Sequence, residues 1–96
     1  MSELDTTIHQ PVRLKIMAAL TALPDDAQLE FVTLREMLEL TDGNLSVHLR
    51  KLEDAGYVAI EKAFVGRKPR TFVSATPKGS VAFDAHVQAL REIIGE

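Results

Sequence analysis

The 96-residue sequence contains no cysteine, no tryptophan and a single tyrosine. Without cysteine there is no disulfide, no thiolate-bound zinc, no iron–sulfur cluster and no thiol redox chemistry. The longest apolar runs are only a few residues, whereas a membrane-spanning helix needs about 20. The N-terminus lacks a basic stretch followed by an apolar one, so no signal peptide is expected and the expected location is cytoplasmic. There is no phosphate-cradling glycine loop and no nucleophile beside an evident base. The adjacent carboxylates Asp25 and Asp26 fall in a polar stretch that reads as a solvated turn. An enzyme is therefore not expected, nor is a cofactor. His9, His48 and His86 lie in separate segments without the short spacing of metal ligands, so no metal is expected either.

What is present is enough for one core: 46% of residues are hydrophobic, and a chain of this length reads as a single domain over 1–96. The formal net charge of −3 conceals an asymmetry. Residues 1–42 carry a net −5, residues 43–80 a net +4 and residues 81–96 a net −2. A basic middle between acidic flanks suggests an anionic partner for the middle.

The spacing of apolar residues predicts the elements. A helix is expected over Gln10 to Leu23, with Pro11 at its first position and Val12, Ile16, Ala19, Leu20 and Leu23 on one face. Leu4 and Ile8 either extend that face or form a separate arm, giving 4–23 for arm and helix together. After a short extended piece around Leu29 to Phe31, Thr33 and Glu36 have the spacing of a capping box, which predicts a short helix over 33–39. Thr41 or Asp42 caps the next helix, 43–55, which stops at Gly56. Leu45, Leu49 and Leu52 form its narrow apolar stripe, and the opposite arc is polar and cationic. Two β-prone runs around Gly66-Arg67-Lys68-Pro69 predict an antiparallel hairpin over 57–75. Thr76-Pro77 opens a last helix, 77–94, whose apolar residues spread over more than half its circumference. The fold class expected is mostly α with a small β-hairpin (α+β).

The order helix, short helix, tight turn, helix, basic hairpin, helix matches a winged helix-turn-helix. The stretch from Thr41 through Asn44, His48, Leu52 and Gly56 to Val58 resembles the recognition helix of the MarR/ArsR-type winged-helix regulators. His9 to Ile16 is similar to their first helix, Gly66 to Thr71 to their wing, and Thr76-Pro77-Lys78-Gly79 to their wing-to-helix junction. The resemblance spans nearly the whole chain and is closest to compact, single-domain prokaryotic regulators. It implies a three-helix core, a wing, a C-terminal dimerisation helix, and sequence-specific binding of double-stranded DNA by a homodimer, usually in repression. The long extra helices and the cysteine pair of the larger sensors are absent, so small-molecule and metal sensing do not carry over. Any effector remains unknown.

Under this reading the helix 43–55 enters the major groove. Asn44 suits bidentate pairing with adenine, Ser46 is a permissive contact and Val47 suits a thymine methyl. Gly43 brings the helix start close to a phosphate. Thr41, His48, Arg50 and Lys51 are candidate backbone contacts, with Arg50 also able to read guanine. Arg67, Lys68 and Arg70 of the 66–70 wing are expected on the backbone or in the minor groove. The dimer is expected to use Leu4, Ile8, Phe83, Val87, Leu90 and Ile94. The alternative is a winged-helix module for protein–protein interaction, which has no need of cations on both helix face and wing tip.

Overall fold

A computed structural model describes residues 4–95; Glu3 and Glu96, counted above in the acidic flanks, lie outside them. The elements are α1 (Pro11–Thr21), β1 (Leu29–Glu30), α2 (Phe31–Leu38), α3 (Asp42–Asp54), β2 (Val58–Val65), β3 (Lys68–Ala75) and α4 (Pro77–Ile94). The expected α+β winged-helix architecture is the one observed. Among the described residues no helix is long and apolar enough to cross a membrane.

Local chemistry explains most boundaries. The Gln10 side chain caps α1 by accepting from the Arg13 amide, and Pro11 follows at the first helical position. The helix ends at Thr21, short of the expected Leu23, because the Leu23 amide bonds back to Leu20 in a tighter last turn. Thr41 caps α3 by accepting from the Asn44 amide at 3.1 Å, and Gly56 takes the left-handed φ of +81° beyond its end. Thr76 and Pro77 open α4 as expected.

Two expectations fail. The capping box at Thr33 does not form: α2 starts at Phe31, with Glu30 at its cap position and no side-chain cap. Glu30 is paired with Phe72 in the sheet, and the chain turns from that strand directly into the helix. The hairpin is also not alone, since β1 adds a third strand in the antiparallel order β1-β3-β2.

The wing is longer and its turn tighter than the composition indicates. Val65 pairs with Lys68, leaving Gly66-Arg67 as a two-residue loop with Gly66 at φ +64°. Lys68 and Pro69 therefore belong to β3 rather than to the turn. Pro69 is tolerated because β1 pairs only with Phe72 and Val73, so that β3 is an edge where Pro69 lies.

The core is aliphatic: Ile8, Ile16, Met17, Leu20, Leu34, Leu45, Leu49, Leu52, Val58 and Val73. Ile8 is 0% exposed in it. The assignment of Ile8 to a dimer surface is therefore corrected; it anchors the N-terminal arm against its own domain. Gly79 joins α4 to the rest. A Cβ there would lie 2.0 Å from the Tyr57 carbonyl oxygen, so only glycine lets the first turn of α4 press onto the segment that joins α3 to β2.

Behind that joint the arm is tied down by polar groups. The Asp5 carboxylate accepts from the amides of Thr7 (2.8 Å) and Ile8 (3.0 Å) and from the Tyr57 hydroxyl. Burial pushes the Asp5 carboxyl up, but Tyr57, those amides and His86 outweigh it and hold it below its ordinary value. The Asp5 amide donates to Nδ1 of His86 at 3.2 Å, so the proton of neutral His86 is on Nε2, which meets Nδ1 of His9 at 3.4 Å. His9 and His86, 77 residues apart, thus come together, but no group of three potential metal ligands forms among the described residues.

Candidate nucleic-acid interface

Helical spacing sorts α3 into four strips. Leu45, Leu49 and Leu52 are buried. Gly43 and Val47 lie on the outermost crest, where Val47 is 58% exposed. Ser46, Arg50 and Glu53 face the wing, and Asn44, His48 and Lys51 lie on the opposite flank, toward α1. The residues selected from the sequence thus cover every exposed strip of this helix.

Thr41 is used as the helix cap, so its contribution to any interface runs through the orientation of α3. Asp42, in the first turn of α3, is held by Arg35 of α2. This pair braces the turn between the two helices and offsets a carboxylate that would otherwise repel phosphate there. Gly43 has nothing within 4 Å of where a Cβ would be, so the fold itself does not require glycine at that position.

The wing runs beside α3, and its pleat decides what faces the helix. Val58, Ile60, Lys62 and Phe64 share one face of β2, with Ala75, Val73, Thr71 and Pro69 directly opposite on β3. Near the body this face is core; further out it leaves the body, and Phe64 is 76% exposed. Between α3 and the wing lies a groove of about 550 Å³ with Phe31, Leu49 and Ile60 as apolar lining. Ser46, Arg50, Lys62 and Thr71 supply hydroxyls and cations around it, and Glu53 is the one carboxylate among the lining residues. Alternating phosphate and deoxyribose match such a mixture of charge and apolar surface.

Lys62, Thr71 and Phe64 are absent from the sequence-based site. Their signal was the hairpin register, which a two-residue loop at Gly66-Arg67 fixes and a four-residue turn conceals. The same register corrects Arg70. It lies on the face of the wing away from Lys62 and Thr71, and its guanidinium donates to Glu30 of β1 at 2.7 Å. Its charge is engaged inside the domain. By contrast Arg50, Lys51, Lys62, Arg67 and Lys68 form no ion pair among the described residues. Arg67 is in the loop and Lys68 beside it, both exposed.

At the other end, α4 outruns the body. His86 and Ala89 are buried, and Ile93, one and two turns further along the same face, is 65% exposed. Ile94 is 67% exposed, whereas Leu4, Val87 and Leu90 are half-buried. Phe83 is half-buried against the core, so it belongs mainly to its own domain.

Residues 12–94 match the family described as winged helix DNA-binding domain. An uncharacterized protein of Methanocaldococcus jannaschii, MJ0432, is 40% identical over 82 residues, spanning 85% of this chain and 86% of that protein. A transcriptional regulator homologue protein from Pyrococcus horikoshii superimposes with a TM-score of 0.84 at 34% identity, covering 93% of this chain and 85% of that one. A MarR-family transcriptional regulator from Enterococcus faecalis superimposes with a TM-score of 0.76 at 26% identity, covering 94% of this chain and 77% of that one.

Proposed function

The chain belongs to the winged helix DNA-binding domain family, and from that premise we propose that it is a transcriptional regulator, a repressor, that binds duplex DNA sequence-specifically as a homodimer. The observation that carries this reading is the groove between α3 and the wing. Unpaired Arg50 and Lys62 meet there, and Arg67 and Lys68 extend the same charge along the wing. The crest of α3 enters the major groove, where Asn44, Ser46 and Val47 read base edges. Arg50, Lys51 and Lys62 hold phosphates on either side, and the wing follows the backbone toward the minor groove with Arg67 foremost.

The dimer forms through α4, whose Ile93 is left 65% exposed by its own domain, with Ile94, Leu90, Val87 and Leu4 contributing. Two recognition helices then address half-sites roughly 34 Å apart, or a multiple of that. The location that goes with this reading is the cytoplasm, where the prokaryotic regulators it resembles meet their DNA.

Selection of bound duplexes from a random-sequence pool tests the reading. It is expected to return a pseudo-palindrome whose affinity falls steeply with salt, log K declining by about 0.9 per phosphate neutralised. Lys62→Gln should lower that slope by about one phosphate and leave the selected sequence unchanged. Ile93→Asp with Ile94→Asp should give a folded monomer by light scattering. Recovery of no preferred sequence, with a salt-independent affinity, would leave the DNA-binding reading without support.

A further inference from the structure

The α1 flank of α3 holds basic groups that the wing-side groove does not account for. His48 lies between Asn44, one turn before it, and Lys51, one turn after it. Arg13 of α1 approaches the same place, near enough for its charge to act on the imidazole. Two side-chain nitrogens here, Nδ1 of His48 and Nε of Arg13, are buried and have no hydrogen-bond partner. A buried polar atom left unpaired costs on the order of 1–3 kcal/mol, so a purely structural histidine would be expected to have a carbonyl or carboxylate beside it.

None is there. The charged groups acting on His48 are Arg13 from α1 and Lys51 on its own helix, both cationic. The other elements that meet α3 do so elsewhere: β2 on the opposite flank, where Arg50, Glu53 and Lys62 line the groove, and α2 at the helix start, where Arg35 holds Asp42. Burial, with Arg13 and Lys51 in support, pushes the His48 imidazole below its ordinary value. In the free protein the histidine is therefore kept neutral by an arrangement that a single anion would reverse.

We infer that Arg13, His48 and Lys51 form a seat for one phosphodiester of duplex DNA on the α1 side of α3, and that His48 takes up a proton when the seat is filled. The inference rests on the DNA-binding reading. It places a phosphate contact on each side of the recognition helix, with Arg50 and Lys62 on one and Arg13, His48 and Lys51 on the other. A phosphate favours the charged imidazole, and by linkage the charged imidazole favours the phosphate by the same factor. DNA affinity must then rise as the pH falls, by up to about tenfold per pH unit where one proton is taken up.

The test is fluorescence anisotropy at constant ionic strength between pH 5.8 and 8.0, with the duplex recovered by selection as the probe. Wild type should bind at least several-fold more tightly at the acid end. His48→Gln should bind at both ends with an affinity near the wild-type alkaline limit and with no such rise. Arg13→Gln, checked for folding by circular dichroism, should reduce the salt dependence by about one phosphate. The His48 ring proton resonances should titrate at higher pH in the complex than in the free protein. DNA binding that is the same at every pH, or a His48→Gln variant that keeps the wild-type profile, overturns the seat and leaves the DNA-binding reading standing. Failure to bind any duplex at any pH overturns both.

Discussion

The polar groups at the two ends of this domain are used in opposite ways. On the arm and α4 side they satisfy one another: Asp5 is bonded to Tyr57 and two amides, His86 to the Asp5 amide and to His9. Even Lys78, a member of the basic middle of the chain, lies over the Tyr57 ring at 5.7 Å from its centroid. On the α3 and wing side Arg50, Lys51, Lys62, Arg67 and Lys68 are left without ion pairs, and two buried nitrogens without a hydrogen-bond partner, among the described residues. A side that completes itself is built for stability; a side left incomplete is built for something that arrives from outside. The glycines repeat the contrast. Gly79 is demanded by contact with the Tyr57 carbonyl, whereas nothing in the domain touches the space beside Gly43.

The largest effect should come from breaking the joint between the two sides. In Gly79→Ala the new methyl group meets backbone, at 2.0 Å from the Tyr57 oxygen and 2.8 Å from its carbon. Backbone cannot rotate away as a side chain can, so α4 must shift and take the cap at Thr76 with it. The Thr76 hydroxyl donates to the Gly56 carbonyl at 2.6 Å and accepts the Gly79 amide, so one displacement disrupts both. The expected loss is more than about 3 kcal/mol, within the range that overpacking combined with a lost cap reaches. A thermal melt decides it: a transition within a few degrees of wild type would mean that α4 is not held at this point.

Next in size is the response of the arm side to acid. His86 is 1% exposed, and burial, with His9 in support and Asp5 opposing, pushes its imidazole below the ordinary value. The unfolded chain therefore binds a proton at a higher pH than the folded one does. Stability is full above about pH 6.5, and it declines as the pH falls below that value toward the depressed folded value. A proton added at Nδ1 also removes the acceptor of the Asp5 amide, which loosens the arm where it meets α4. A fall in Tm between about pH 6.5 and pH 5 is expected. In His86→Gln that decline should shrink to the part contributed by His48, which is depressed in the same direction. Asp5 enters only in stronger acid, because its depressed carboxyl loses its contribution below its ordinary value of 3.8.

Which parts of this were legible in the sequence follows from how far apart the responsible residues are. The cap at Thr41, the stop at Gly56 and the Leu45, Leu49, Leu52 stripe are settled within one helix. The start of α4 is settled by two adjacent residues, Thr76 and Pro77. The start of α2 was misread because a pairing with Phe72, remote in sequence, overrides the capping signal of Thr33. Arg70 read as a free wing cation because its partner Glu30 is 40 residues away, and Arg13 gave no hint that it approaches His48. The candidate site was legible as a helix and a hairpin tip. Its third dimension, the groove with Lys62 and Thr71, depends on a strand register that composition alone left ambiguous.

The smallest effect is the most discriminating, and it concerns the other glycine. Gly43 is the second residue of α3, where alanine is the better helix former by up to about 1 kcal/mol and an added methyl meets nothing within 4 Å. Gly43→Ala should therefore raise the Tm slightly. A glycine that lowers stability without serving the packing is readily explained if a partner must come closer to the backbone than a Cβ allows. Under the proposed docking of α3 in the major groove, with amides beside Gly43 that favour a phosphate, that partner is DNA. The same substitution should then weaken binding of the selected duplex several-fold, with the salt dependence nearly unchanged because no charge has been removed. Stability and affinity moving in opposite directions would assign Gly43 to the interface. A variant that gains stability and keeps its affinity would mean that the α3 crest stands off from the DNA, leaving recognition to its two flanks.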